Sequence, residues 1–223
     1  MNELCLANLT VGDADALALI DAAAAGGFDS VNMWLVEPPA MAHVSAFKRE
    51  VTPVVGNAPL IAAIRRRCDE RGVRIFTGSA GWIGPSFDAA AIAPVIETLA
   101  ALESRSVSVV GWDPERERLM EHFSAVCAAA AAYNLDVHLE FMAYAAVKTV
   151  EEARTFVERS GAPNAKIIVD ALHLDRSGGT PADVRQLPAG RIRAVQLCDA
   201  PAAMLTGVFG EPVTALVAGL VVW

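Results

Sequence analysis

Asp136-Val137-His138-Leu139-Glu140-Phe141 sets three polar residues against three apolar ones in strict alternation. Successive side chains of a β-strand point to opposite faces, so Asp136, His138 and Glu140 share one face and Val137, Leu139 and Phe141 the other. Such a strand suits the wall of a barrel, its apolar face packed under helices and its polar face turned inward. Glu140 then stands at the mouth. A carboxylate held there away from water needs a metal, another cation or a structural ion pair beside it.

Outward from this strand, the same unit repeats along the 223 residues. Short apolar runs at 4–8, 30–35, 73–77, 106–110, 166–170 and 193–197 read as six more strands. Longer Ala-rich amphipathic stretches at 13–25, 58–71, 87–103, 114–133, 150–159 and 181–186 read as helices. Asp13 is placed to cap the first helix, Gly26-Gly27 to stop it, and Gly72 to close the second. Strictly alternating strands and helices imply parallel strands joined by right-handed crossovers. Seven such units exceed what a flavodoxin-like sheet needs, and no GxGxxG follows the first strand. The pattern predicts a single domain over 1–223, a (β/α)8 barrel of the TIM type, whose chemistry sits at the C-terminal ends of its strands.

The eighth unit breaks the pattern. Between 200 and 223 the only charged side chain is Glu211, and no amphipathic helix follows the seventh strand. Residues 215–222 are candidates for a last strand. The tail is too short and too interrupted, by Gly207, Gly210, Pro212 and Gly219, for the roughly 20 continuous apolar residues of a membrane span. An incomplete or altered eighth unit is expected, either native or the result of a truncated or frame-altered end. A barrel that fails to close leaves an exposed sheet edge, which favours a homodimer.

Composition narrows the function. A formal net charge of −8 argues against nucleic acid as a partner, because phosphate recognition draws on a basic face. The one dense basic cluster, Arg65-Arg66-Arg67, reads as a solvated helix face. Cys5, Cys68, Cys127 and Cys198 are widely spaced and read as reduced thiols of a cytoplasmic protein. The first residues carry no leader pattern.

Two further strands end in the manner of 136–141. Ile167-Ile168-Val169-Asp170 is an apolar run that stops at an aspartate, with His173 three residues on; a helix N-cap at Asp170 and a surface His173 form the structural alternative. Ala194-Val195-Gln196-Leu197-Cys198-Asp199 places an amide at the equivalent inward position of the next unit. Three successive strands thus offer oxygen donors, a set suited to Mg²⁺ or Mn²⁺, and with His173 beside it also open to Co²⁺ or Zn²⁺.

The segments 138–142, 169–179 and 195–200 resemble the metal-site segments of the xylose-isomerase-like superfamily, in its sugar phosphate isomerase/epimerase family. The resemblance extends over roughly residues 1–200. It implies one divalent metal ion held by Glu140, Asp170 and Gln196, with His173 beside the metal or the substrate. It also implies a fourth carboxylate ligand from the eighth strand, for which Glu211, only 15 positions after Gln196, is a poor substitute. Gln196, where many members carry histidine, is similar to the variant of some 3-dehydroshikimate dehydratases. The implied activity is isomerisation or epimerisation of a small keto-sugar or sugar phosphate through an enediolate, with Glu140 as base and His173 as a second catalytic group. A dehydratase on the same barrel, or a barrel impaired by the missing fourth ligand, are the alternatives. His138, Arg176 and Trp112 are candidates for substrate contact, and Trp34 and Trp82 for apolar walls. Expected partners are a small carbohydrate-like molecule and a second copy of the chain, with neither nucleic acid nor membrane.

Overall fold

Strand and helix alternate as the sequence pattern demands. A computed structural model describes residues 3–12, 14–36 and 53–199, and beyond them the backbone of three strands in the tail. The seven repeating strands are β1 (Leu4–Ala7), β2 (Ser30–Trp34), β3 (Arg74–Ile83), β4 (Ser106–Gly111), β5 (Asp136–Glu140), β6 (Ala165–Asp170) and β7 (Ile192–Asp199). Between them run α1 (Ala16–Gly26), α2 (Ala58–Arg71), α3 (Ala93–Ala101), α4 (Arg116–Ala131), α5 (Val150–Ser160) and the short α6 (Ala171–Arg176) and α7 (Pro181–Val184). No helix of the described residues is long and apolar enough to cross a membrane.

Each of the seven strands pairs in parallel with the next, from β1–β2 to β6–β7. The eighth position differs. After a two-stranded pairing of β8 (Leu205–Thr206) with β9 (Pro212–Val213), β10 (Val217–Val222) enters between β7 and β1 and runs antiparallel to both. A parallel strand there would need a crossover back to the bottom of the barrel, whereas an antiparallel one starts at the end where β7 stops. The expected eighth strand thus fills its slot in reverse, and the eighth unit has no returning helix among its described residues.

Two apolar layers hold the barrel. The larger lies between strands and helices and includes Val137, Leu139 and Phe141, all fully buried, as the alternation in β5 requires. A smaller layer of Cys5, Ala7, Phe76, Ile168 and Ala194 fills the interior. All four cysteines are free thiols.

Several boundaries differ from the sequence reading, each for a local reason. The α1 cap is Asp15, whose carboxylate accepts from the Leu17 and Ala18 amides at 2.9 and 2.8 Å; Asp13 lies outside the described residues. The helix expected over 87–103 begins as a 3-10 turn (Ala89–Ile92) and becomes α3 near Pro94, which suits a first helical turn. β3 runs six residues past its expected end at Thr77. Gly81, at φ 93°, lies within a shift of register that lets the strand resume its pairing with β4 at Trp82. The sequence reading assigned no helix to 171–176 and offered only its N-cap, Asp170, as an alternative.

Candidate metal centre

The ends of β5, β6 and β7 bring four polar side chains together. Glu140 closes β5, half-buried, and opens into a cavity of ≈ 150 Å³ at the C-terminal mouth. Asp170 closes β6 and is also the N-cap of α6. Its Oδ1 accepts from the amides of Leu172 and His173 at 2.8 and 3.0 Å, which satisfies donors the helix start leaves open. Asp170 Oδ1 thus caps a helix, as the structural alternative had it, and Oδ2 faces Gln196 beside the cavity, while His173 is buried rather than on the surface. The cap also fixes His173, one turn into α6. It is 4% exposed, lines the cavity and meets the Tyr144 ring edge-on at 5.5 Å. Donor atoms of Glu140, Asp170 and His173 all lie within 4.8 Å of one another.

Gln196 completes the group from β7, directly opposite Asp170 in the ladder. One polar atom of its amide is 3.0 Å from Glu140 Oε1 and 2.9 Å from Asp170 Oδ2. Without a cation the amide NH2 occupies that place and donates to both carboxylates. Turned over, the amide presents a third oxygen to the same point.

The electrostatics are those of crowded negative charge. Burial, and then the Asp170 carboxylate, push Glu140 up to about 8. Burial lowers His173, with Asp170 pulling the other way, so its imidazole is biased toward the neutral form in which a nitrogen is free to ligate. Cys198, also in the cavity wall, is raised to about 12 by burial and by Asp170; its Sγ lies 3.5 Å from Asp170 Oδ1 and 3.6 Å from Oδ2. Among the described residues no lysine or arginine lines this cavity.

The remaining candidates separate. Trp34 and Trp82 line the cavity. Trp112 stands one ring back, tilted against Trp82 at 4.1 Å and edge-on to Tyr144 at 6.3 Å. His138, expected to meet substrate, lies instead inside the barrel against Phe76, with ring centroids 5.7 Å apart. It is fully buried, and burial, then Arg193 and Lys166, push it down to about 3. It sits two residues before Glu140 on the inward face, one layer too deep for the mouth. Arg176 turns to its neighbour Asp175 at 3.2 Å, at the far end of α6 and outside the cavity lining. Glu211 lies outside the described residues. Asn8, Asn32, Ser79, Ser108, Tyr144 and Cys198 also line the cavity, and sequence reasoning did not single them out. The one available signal was a small polar residue at an inward position of an apolar strand, as in Val107-Ser108-Val109.

The model of the family described as xylose isomerase-like TIM barrel matches residues 20–214. No curated protein matches the sequence. Among solved structures, the chain is similar to the IolI protein with a binding zinc atom, at TM-score 0.71 and 13% identity, covering 91% of this chain and 74% of that one. It is similar to the probable 3-DHS dehydratase AsbF of Bacillus anthracis, at TM-score 0.70 and 17% identity over 90% and 74% of the two chains. A D-allulose 3-epimerase from Methylomonas sp. follows at TM-score 0.66 and 18% identity, over 86% and 71%. At these identities the likeness establishes the shared fold.

Proposed function

Because this chain belongs to the xylose isomerase-like TIM barrel family, we propose that it is a divalent-metal-dependent isomerase or epimerase of a small carbohydrate. The observation that carries the reading is the convergence of Glu140, Asp170 and Gln196 on one point, with His173 beside it. Neighbouring oxygens around an ion bound at about 2.1 Å in octahedral geometry lie about 3.0 Å apart. The amide-to-carboxylate spacings of 3.0 and 2.9 Å match that requirement. Two carboxylates facing each other with no lysine or arginine among the described lining residues are costly to keep ionised, and a bound cation removes the cost. The D-allulose 3-epimerase and the zinc-containing IolI protein among the structural neighbours agree with this reading.

In this account Glu140, Asp170 and Gln196 hold the ion through oxygen, and His173 completes the set through nitrogen or meets a substrate hydroxyl. Mn²⁺ or Mg²⁺ suits the oxygen donors best, and the imidazole extends the range to Co²⁺ and Zn²⁺. When bound, the ion supplies Lewis-acid stabilisation of the charge that develops on the substrate's carbonyl oxygen as an enediolate forms. Glu140, at the edge of the cavity, takes the proton from the carbon next to the carbonyl and returns it. His173 passes the hydroxyl proton between neighbouring oxygens. The rings of Trp34, Trp82 and Tyr144 limit the water that reaches the reacting carbons.

The test is solvent-proton exchange. Mn²⁺- or Mg²⁺-loaded protein incubated with simple ketoses in D₂O should place one deuteron on the carbon beside the carbonyl and yield the epimer or the aldose, read by NMR and mass spectrometry. A product absorbing in the ultraviolet, formed from 3-dehydroshikimate, would make the protein a dehydratase instead. Neither exchange nor product from metal-loaded protein would leave a barrel without this chemistry.

A further inference from the structure

Glu140 and Gln196 lie on strands that are not neighbours, because β6 runs between β5 and β7. One polar atom of the Gln196 amide nevertheless reaches across β6, to 3.0 Å from Glu140 Oε1 and 2.9 Å from Asp170 Oδ2. Two carboxylate oxygens and one amide atom thus meet from three strands. A carboxylate accepts on both sides. An amide has two faces of nearly the same shape, an NH2 group that gives two protons and an oxygen that gives none.

Each face fits a different occupant. With the NH2 inward, one proton goes to Glu140 and the other to Asp170, at ordinary N–H···O spacings. With the oxygen inward, three oxygens surround one point, and a cation between them relieves their repulsion. Turning the last side-chain bond of glutamine exchanges the two faces, a rotation with a broad, two-fold preference that leaves the backbone in place. The frame around the amide is held independently of it. Asp170 is opposite Gln196 in the ladder, and its Oδ1 is fixed by the Leu172 and His173 amides at 2.8 and 3.0 Å, which keeps Oδ2 toward Gln196.

Other ligating residues lack this pair of faces. A histidine nitrogen carries at most one proton, and a glutamate adds a third negative charge to the point. An amide alone joins an oxygen ligand to a two-proton donor.

We infer that Gln196 is a positioning residue with two settings: its NH2 group ties Glu140 to Asp170 when no ion is bound, and its oxygen turns in to ligate when one is. The tie keeps the two carboxylates at ligating distance through loss and reloading of the metal. The inference rests on the metal-dependent reading above and adds how the same site is held together without its ion.

The chain has two glutamines, Gln186 and Gln196, and Gln186 is exposed. Protein labelled with ¹⁵N in its glutamine side chains therefore gives two amide signals, and Gln196→Leu identifies one by its loss. Spectra are recorded near neutral pH, first with chelator and then with Mg²⁺, and Mg²⁺ affinity is measured by calorimetry on the same samples. With chelator, the Gln196 side-chain protons should exchange with water at least about tenfold more slowly than those of Gln186, as one or more hydrogen bonds require. Saturating Mg²⁺ should shift the Gln196 signal and remove most of that protection, while Gln186 stays where it was. Gln196→Glu keeps an oxygen ligand and loses the donor. Its melting temperature with chelator should fall below that of the unaltered protein and recover when Mg²⁺ is added. If Mg²⁺ binds but Gln196 is unprotected with chelator, or equally protected with and without Mg²⁺, the inference is overturned and the metal reading stands. A Gln196→Glu variant that melts no lower than the unaltered protein with chelator overturns it as well. Failure to bind Mg²⁺ or Mn²⁺ at all overturns the metal reading, and this inference with it.

Discussion

On β5, β6 and β7 the inward residues at the mouth are Glu140, Asp170 and Gln196; on β2, β3 and β4 they are Asn32, Ser79 and Ser108. Both walls use the same backbone device, a polar side chain at an inward position of a barrel strand. They differ in charge, and that difference divides the labour. Two carboxylates within reach of one imidazole make a place that is stable only with a cation or a proton in it, as the rise of Glu140 to about 8 records. The serine and asparagine row is uncharged and joined by two hydrogen bonds of its own. The barrel thus supplies position, and the residue at each strand end supplies chemistry.

The comparison breaks most visibly from the acidic side. Asp170→Asn should weaken Mn²⁺ binding by at least about a hundredfold, because it removes one of two buried charges from the set; calorimetric titration checks this. The same change keeps a weaker cap for α6, so the fold should survive. The second largest effect is on pH. Glu140 in the metal-free protein titrates above its unfolded value, so its protonated form is the one the fold favours. Its contribution to stability is complete below about pH 4.5 and is lost as pH rises toward about 8. Metal-free Glu140→Gln should therefore be more stable than the unaltered protein near pH 9 and no more stable near pH 4, as chemical denaturation at the two pH values will show. Mn²⁺ binding to the unaltered protein should tighten between pH 6 and 8 and release a proton, visible as a buffer-dependent heat.

From the neutral side the effects are smaller. Ser79→Ala interrupts the row and should raise KM for the substrate by roughly three- to tenfold with little change in metal affinity. Trp112→Leu should act only through Trp82, changing KM by about threefold or less. Arg176→Ala, at the far end of α6, should change turnover by less than about twofold.

The acidic wall was legible because charge in an apolar strand is conspicuous. Glu140, Asp170 and Gln196 each interrupt a run of Val, Ile and Leu, and alternation alone turns each inward. The period of two could not say how deep an inward residue sits. His138 shares the face of Glu140 and lies one layer below it, packed on Phe76. The neutral wall escaped notice because Ser and Asn are common in strands for structural reasons, and only proximity across three strands joins them. α6 was hidden because six residues following a strand, Ala171–Arg176, carry too short a period to read; its cap, Asp170, was visible but had two meanings. The closing strand was expected over 215–222, but its antiparallel direction depends on β7 and β1 and not on its own sequence.

The central claim is tested most directly by counting ions. Protein purified without chelator, stripped, and reloaded with Mn²⁺ should take up one ion per chain by electron paramagnetic resonance, with a melting temperature that climbs with free Mn²⁺. The Glu140→Gln, Asp170→Asn double variant should do neither. If the unaltered protein takes up no ion, or if the double variant takes up the same ion with the same climb, the four side chains at the ends of β5 to β7 are not a metal centre.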